Sequence, residues 1–321
     1  MHSTPHHLPA AVGLPIAVGA GTAIPVQSRI NGALGQRLDD SLAAALISFG
    51  TGLVVMIAVS LLFPRGRAGL AQLVPAVRER RFPPLYLAAG AIGAFFVFSQ
   101  SLTISILGVA LFTIAAVMGQ TLSGLAVDRS GMGPGGRKAI TPIRVIGVVL
   151  TIAAVAWAVS PRLEGTGTTA ALILPLLLPV AAGILMSFQQ AMNGTAAVHY
   201  GTPITATLVN FIAGSTVLLA AWLVKIIAVG AGESLPGEWW YYVGGPMGCI
   251  FIGVSALLVR TLGVLLTGLG MVGGQLLGSL ALDLLVPAAG TVVAFATVGG
   301  PVLALGAILL TTLPWRRPAS P

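Results

Sequence analysis

The sequence predicts an all-α membrane protein whose ten transmembrane helices form two inverted five-helix repeats. Composition is the first reason: 56% of the 321 residues are hydrophobic and only 7% are charged, against roughly 25% charged in soluble domains. The second is a run of long apolar segments separated by short polar ones. The third is internal repetition. Residues 21–52 return as 183–214 at an offset of 162, with Gly21, Gln27, Asn31, Gly32, Phe49 and Gly52 falling on Gly183, Gln189, Asn193, Gly194, Phe211 and Gly214. Residues 108–128 return as 263–283 at an offset of 155, so that Gly119, Gln120 and Asp128 meet Gly274, Gln275 and Asp283. Paired halves in a membrane chain commonly build one site between them.

A spanning helix needs about 20 largely apolar residues. Spans are predicted at 10–28, 42–63, 84–104, 107–127, 143–160, 171–192, 204–226, 240–259, 262–284 and 291–313. The first begins without a preceding Lys or Arg and without a small-residue cleavage site, so it reads as retained and not as a signal peptide. The third and fourth are divided on length, since one uncharged helix over 82–127 would extend about 69 Å, more than twice the hydrocarbon thickness. In the second half the corresponding turn is marked by Arg260.

Lys and Arg divide 12 to 4 between alternate segments, which predicts that both termini are cytoplasmic. Five spans per repeat bring the second copy into the membrane from the opposite side, so the halves 1–160 and 171–321 are inverted and 161–170 is an external linker. The pI of about 10.8 follows from basic loops in a positive-inside topology and not from nucleic-acid binding. Gly131, Gly133 and Gly136 have the spacing of a dinucleotide fingerprint, but no strand precedes them and Pro134 interrupts them, so the segment reads as a cytoplasmic linker.

Candidate functional residues are amides. Gln120 lies eight positions before Asp128, about 12 Å along a helix, which puts it near mid-membrane when Asp128 is interfacial. Inversion does the same for Gln275 with Asp283 at the external face. A buried amide needs a partner, either a neighbouring helix or a ligand. Gln27 and Asn31 share one helix face, as do Gln189 and Asn193. They read as ligand contacts or as capping groups, and the following Gly32 and Gly194 suit a helix stop. No acidic residue sits mid-span, so Asp128 and Asp283 are the candidates for proton coupling, with a structural role as the alternative.

Gly270, Gly274 and Gly278 make a smooth helix face for close packing, with Gly124 on the fourth span. The lone Cys249 reads as a packed side chain, and His2, His6 and His7 as part of a mobile tail and not as a metal site. No metal-ligand spacing, nucleophile with a base, or phosphate-binding motif is present in the sequence, so no cofactor and no enzymatic chemistry is expected.

The Gln-x-x-x-Asn-Gly pattern leaving the first span and G-Q-x-L-x-x-L-A-x-D in the fourth resemble the YdcZ-type inner-membrane exporters of the drug/metabolite transporter superfamily. The likeness runs over nearly the whole chain twice, as in a fused tandem of a five-span unit. It implies a secondary transporter in a bacterial inner membrane, with a small-molecule substrate and both copies in one monomeric chain; it names no substrate. The related small multidrug resistance proteins use a first-span glutamate for proton exchange, and this sequence has none there. A non-transporting membrane scaffold or regulatory subunit is the alternative function.

Overall fold

In a computed structural model, residues 10–134, 136–137, 139–163, 169–286 and 295–311 are described. The three amino-terminal histidines, the centre of the 161–170 linker, the start of the last expected span and the carboxy-terminal arginines lie outside the described residues. Among those described there are helices and no strands. They are α1 (Ala10–Gly21), α2 (Ala23–Leu38), α3 (Ser41–Leu62), α4 (Pro64–Arg78), α5 (Ala89–Ser130), α6 (Pro142–Leu163), α7 (Thr169–Tyr200), α8 (Pro203–Val229), α9 (Gly244–Leu285) and α10 (Phe295–Thr311). Among the described residues four stretches, Ser41–Leu62, Pro84–Ser130, Ile173–Tyr200 and Pro203–Val229, are long and apolar enough to cross a membrane.

Local chemistry sets several boundaries. Asp40 caps α3 by accepting from the Ala43 N–H at 3.0 Å, and Thr202 caps α8 by accepting from Ile204 at 3.3 Å, with Pro203 in the first turn. Gly131 ends α5 at φ 74, the left-handed conformation that glycine adopts without steric penalty. The glycine-spaced loop thus begins as a helix stop.

Length required the segment after Phe82 to turn, and it does so inside α5. Gly108 has φ 76 and ψ 166, a conformation essentially confined to glycine. Phe96 and Phe112 would stand about 24 Å apart on a straight helix, yet their ring centroids are 5.6 Å apart. The chain folds back on itself there. Helix α9 does the same: Gly248 faces Gln27 and Gly278 faces Thr22, whereas thirty residues of straight helix would separate the two glycines by about 45 Å.

Two expectations need correction. Gly32 and Gly194 do not stop helices, because α2 continues to Leu38 and α7 to Tyr200. They are points of close approach instead: a methyl group at Gly32 would come within 2.6 Å of Ile104, and one at Gly194 within 3.3 Å of Pro134. The segment 64–83, expected as loop, contains the amphipathic α4. Ala76 within it and Phe82 just after it are buried in one cluster with Tyr200 and Ala206.

Packing between the halves follows the sequence offsets. Gly21 meets the Met271 carbonyl and Gly183 meets that of Ala116; Gly274 meets the Val18 carbonyl and Gly119 that of Val180. Gly90 lies against Asn210 and Gly214, and Gly245 against Ser48 and Gly52. Every contact in these pairs is its partner shifted by 162 or 155 residues. Glycine at each crossing lets backbones approach to a distance that a side chain would prevent. At the centre the equivalent residues Phe49 and Phe211 meet each other, their centroids 5.1 Å apart and their planes tilted by 50°. Because Asp40 at the start of α3 also binds Lys225 near the end of α8 at 3.0 Å, the two central helices run antiparallel.

The bundle has two distinct ends. At one, Asp40 pairs with Lys225, the Glu233 N–H donates to the Leu38 carbonyl at 2.7 Å, and α2 closes on Ser101 and Ile104. At the other, Phe82 packs edge-on to Tyr200 at 5.6 Å, and Thr195 Oγ1 donates to the Met132 carbonyl at 3.0 Å. This second end carries the basic segments that contain Arg65, Arg67, Arg78, Arg129 and Arg137.

Candidate functional site

A cavity of about 680 Å³ lies between the halves, within the ~300–1,000 Å³ range of small-molecule sites. Its lining starts at Gln27, Phe49 and Gln275 in the core and runs to Pro134, Gly201 and Pro203 at the basic end. Five of the six amides expected from the sequence line it: Gln27, Gln120, Gln189, Asn193 and Gln275. Four helices therefore deliver these five amides to one space: α2, the second limb of α5, α7 and the second limb of α9.

Glycines make room for two of these side chains. A methyl group at Gly93 would come within 2.6 Å of Gln189 Nε2, and one at Gly248 within 3.1 Å of Gln27 Nε2. The two glycines differ by 155 residues and the two glutamines by 162, so the two halves present the amide in the same way. Gln189 Nε2 donates to Asn210 Oδ1 at 2.8 Å, and Asn193 Nδ2 donates to the same oxygen at 3.0 Å. This fixes three amides in one cluster and leaves Gln189 Oε1, Asn193 Oδ1 and Asn210 Nδ2 for another partner. Gln27 and Gln275 are about 95% buried, at 5% and 6% exposure, and neither side chain has a hydrogen-bond partner among the described residues. Ser187 Oγ donates to the Gln120 backbone carbonyl at 2.9 Å, tying α7 to α5 beside the cavity.

Asn31 is not with them. It is fully buried at the closed end, where Nδ2 donates to Gln100 Oε1 at 2.9 Å and Gln100 Nε2 donates to Ser28 Oγ at 2.7 Å. Its repeat partner Asn193 lines the cavity. One sequence motif thus occupies two environments, packed in the first half and open in the second.

The aspartates also lie away from the cavity lining among the described residues. Asp283 is 2% exposed, and its two oxygens accept from the backbone N–H groups of Val109 at 3.0 Å and Ala110 at 2.7 Å. These are the first donors after the break at Gly108, so a residue of the second half caps a helix of the first. Asp128 sits half-buried near the end of α5. Among the described residues no three His, Cys, Asp or Glu side chains gather to hold a metal ion.

The sequence reading missed Asn210, Gln190 and Gln100. The first two line the cavity and the third holds the closed end. Each is an amide in an apolar run, a signal as strong as Gln120, but Asn210 and Gln100 have serine at the shifted positions 48 and 255 and so do not stand out in a repeat comparison.

The profile of the family described as putative inner membrane exporter, YdcZ, matches residues 12–157 and 174–310. The chain belongs to this family. The double match is that of a tandem form. Membership of the YdcZ family makes this a multi-pass inner-membrane protein and a transporter in general terms. No curated protein matches the sequence. One solved crystal structure of a protein superposes with a TM-score of 0.54 at 18% identity, covering 94% of this chain and 96% of that one. At that identity the likeness speaks for the fold alone.

Proposed function

We propose that this YdcZ-family chain is a secondary transporter that exports a small metabolite or amphipathic compound by alternating access. In this reading it has ten spans in two inverted repeats, 1–160 and 171–321, joined by an external linker at 161–170. The single observation that carries it is the asymmetry of equivalent parts. Gly194 and Ala197 line the cavity, while their counterparts Gly32 and Gly35 are packed on Ile104 and Ser101. Exchanging the two arrangements would close the basic end and open the other, which is the motion that inverted repeats permit.

The offset-related crossings and the antiparallel α3 and α8 support the inverted repeat. The basic residues at the open end support a cytoplasmic opening and cytoplasmic termini. Closure of the other end leaves Asn31 Oδ1 and Ser48 Oγ without partners, a penalty of about 1–3 kcal/mol each that favours a gate which reopens over a permanent seal. Having both repeats in one chain supports action as a monomer. The capping geometry of Asp283 favours a structural role for that residue, so proton coupling falls to Asp128.

Purified protein in liposomes tests the transporter reading, with compounds first found by screening cells that lack or overproduce it. Substrate-dependent flux is expected. Gln120→Leu and Gln275→Leu should each reduce it at normal folded yield, and the double variant should fall short of additivity because both side chains contact one solute. Flux that follows only the folded yield would reduce the two glutamines to helix bridges, and no flux with any compound would favour a scaffold. Unchanged pH dependence in Asp128→Asn would remove the coupling role.

A further inference from the structure

Resting on that transporter reading, we infer that the cavity selects uncharged heterocycles carrying ring N–H donors beside carbonyl acceptors: the lactam, imide and nucleobase class.

Charge decides the first half of the inference. Among the described residues the lining contains no Asp, Glu, Lys, Arg or His. Two buried carboxylates of the bundle are committed elsewhere: Asp283 to the backbone of Val109 and Ala110, and Asp40 to Lys225 and Trp222. A charged solute entering this space would leave water without meeting a countercharge, and both low-dielectric protein and bilayer interior penalise that heavily. The described lining therefore disfavours permanent cations and organic anions.

Hydrogen bonding and shape decide the second half. The amides of Gln27 and Gln275 are almost wholly buried yet have no partner among the described residues, and the cluster joined at Asn210 Oδ1 retains a donor and two acceptors. Each free primary amide offers N–H and C=O side by side in one plane. The edge that satisfies both at once is another planar N–H and C=O pair. An alkane would leave these groups unpaired, and burying an unpaired polar group is unfavourable. Beside them Phe49, Phe96, Phe211 and Phe251 supply apolar ring surface. A hydroxyl-rich solute would bury its polar groups against those rings, whereas a flat heterocycle places its face on them and its edge on the amides.

Thermal stability and calorimetric binding of the purified full chain test this with defined probes. Uracil, hypoxanthine and phthalimide in their uncharged forms represent the class, and their N-methylated forms remove the donors. Tetraphenylphosphonium, benzoate and inositol represent a cation, an anion and a polyol. The expected result is binding of the N–H heterocycles, at least about tenfold weaker binding of the N-methylated forms, and no response to the other three. Gln275→Leu and Gln27→Leu should lose that binding, and Gln275→Asn should retain part of it; the melting temperature without probe reports whether each variant is folded. Preference for the charged probes or the polyol overturns the inferred class and leaves the transporter reading standing. Equal binding to wild type and folded Leu variants, or no response to any probe, overturns the inference. Heterocycle binding without flux in liposomes leaves the binding class intact and removes the transporter reading instead.

Discussion

Asp283 ties the two halves through a helix cap, and its substitution is the most direct test of that role. Asp283→Ala leaves the N–H groups of Val109 and Ala110 without their acceptors in a buried place, a loss of about 1–2 kcal/mol by the usual cost of removing a cap. Asp283→Asn keeps one acceptor and should lose less. Both are read as melting temperatures of the purified protein, and an unchanged value in Asp283→Ala would overturn the capping role. Gly93 makes a second prediction at this scale. Its replacement by alanine brings a methyl group within 2.6 Å of Gln189 Nε2, so the bond to Asn210 must shift. Gly248→Ala, at 3.1 Å from Gln27 Nε2, should disturb less. The expected outcome is weaker ligand binding in Gly93→Ala than in Gly248→Ala, measured by calorimetry with a bound compound.

Among the elements, α5 depends on one residue for its fold-back. Gly108→Ala forces a side chain into a region that only glycine occupies readily, at about 1–3 kcal/mol, and also displaces the donors that Asp283 holds. Its effect and that of Asp283→Ala should therefore fall short of additive in a double-mutant cycle on thermal unfolding. Full additivity would show that the turn and the cap act independently. The crossings at Gly21 with Gly274 and at Gly183 with Gly119 serve a different purpose: they hold limbs from opposite halves at backbone contact, so the cavity walls come from both repeats.

For the whole molecule, the proposed arrangement places the cavity mouth and the basic segments on the cytoplasmic side. Reporters fused after Met132 and after Gly237 should report opposite sides of the membrane; the same side for both would overturn the inverted topology. With Cys249→Ala as background, Ala197→Cys should react with a membrane-impermeant maleimide from the cytoplasmic face, because Ala197 lines the cavity. Ser28→Cys, at a fully buried position in the closed end, should stay protected until a ligand or mutation shifts the population of states. Reaction of Ser28→Cys alone would reverse the assignment of open and closed ends.

Much of this was legible in one dimension because the bilayer turns composition into architecture. A chain with 7% charged residues must satisfy its backbone internally, and helices do so; length alone then required the turn found at Gly108. The repeat offsets located Gln27, Gln120, Gln189, Asn193 and Gln275, which share the cavity because equivalent positions converge on the crossing of the halves. Tertiary structure decided what equivalence cannot. Asn31 and Asn193 have the same motif, yet one bonds to Gln100 in a closed seam and the other faces open space, since the two halves pack against different neighbours at these positions. It likewise decided that Asp283 reaches across to Val109 and Ala110, a contact between residues more than 170 positions apart, which only the meeting of two folded halves creates.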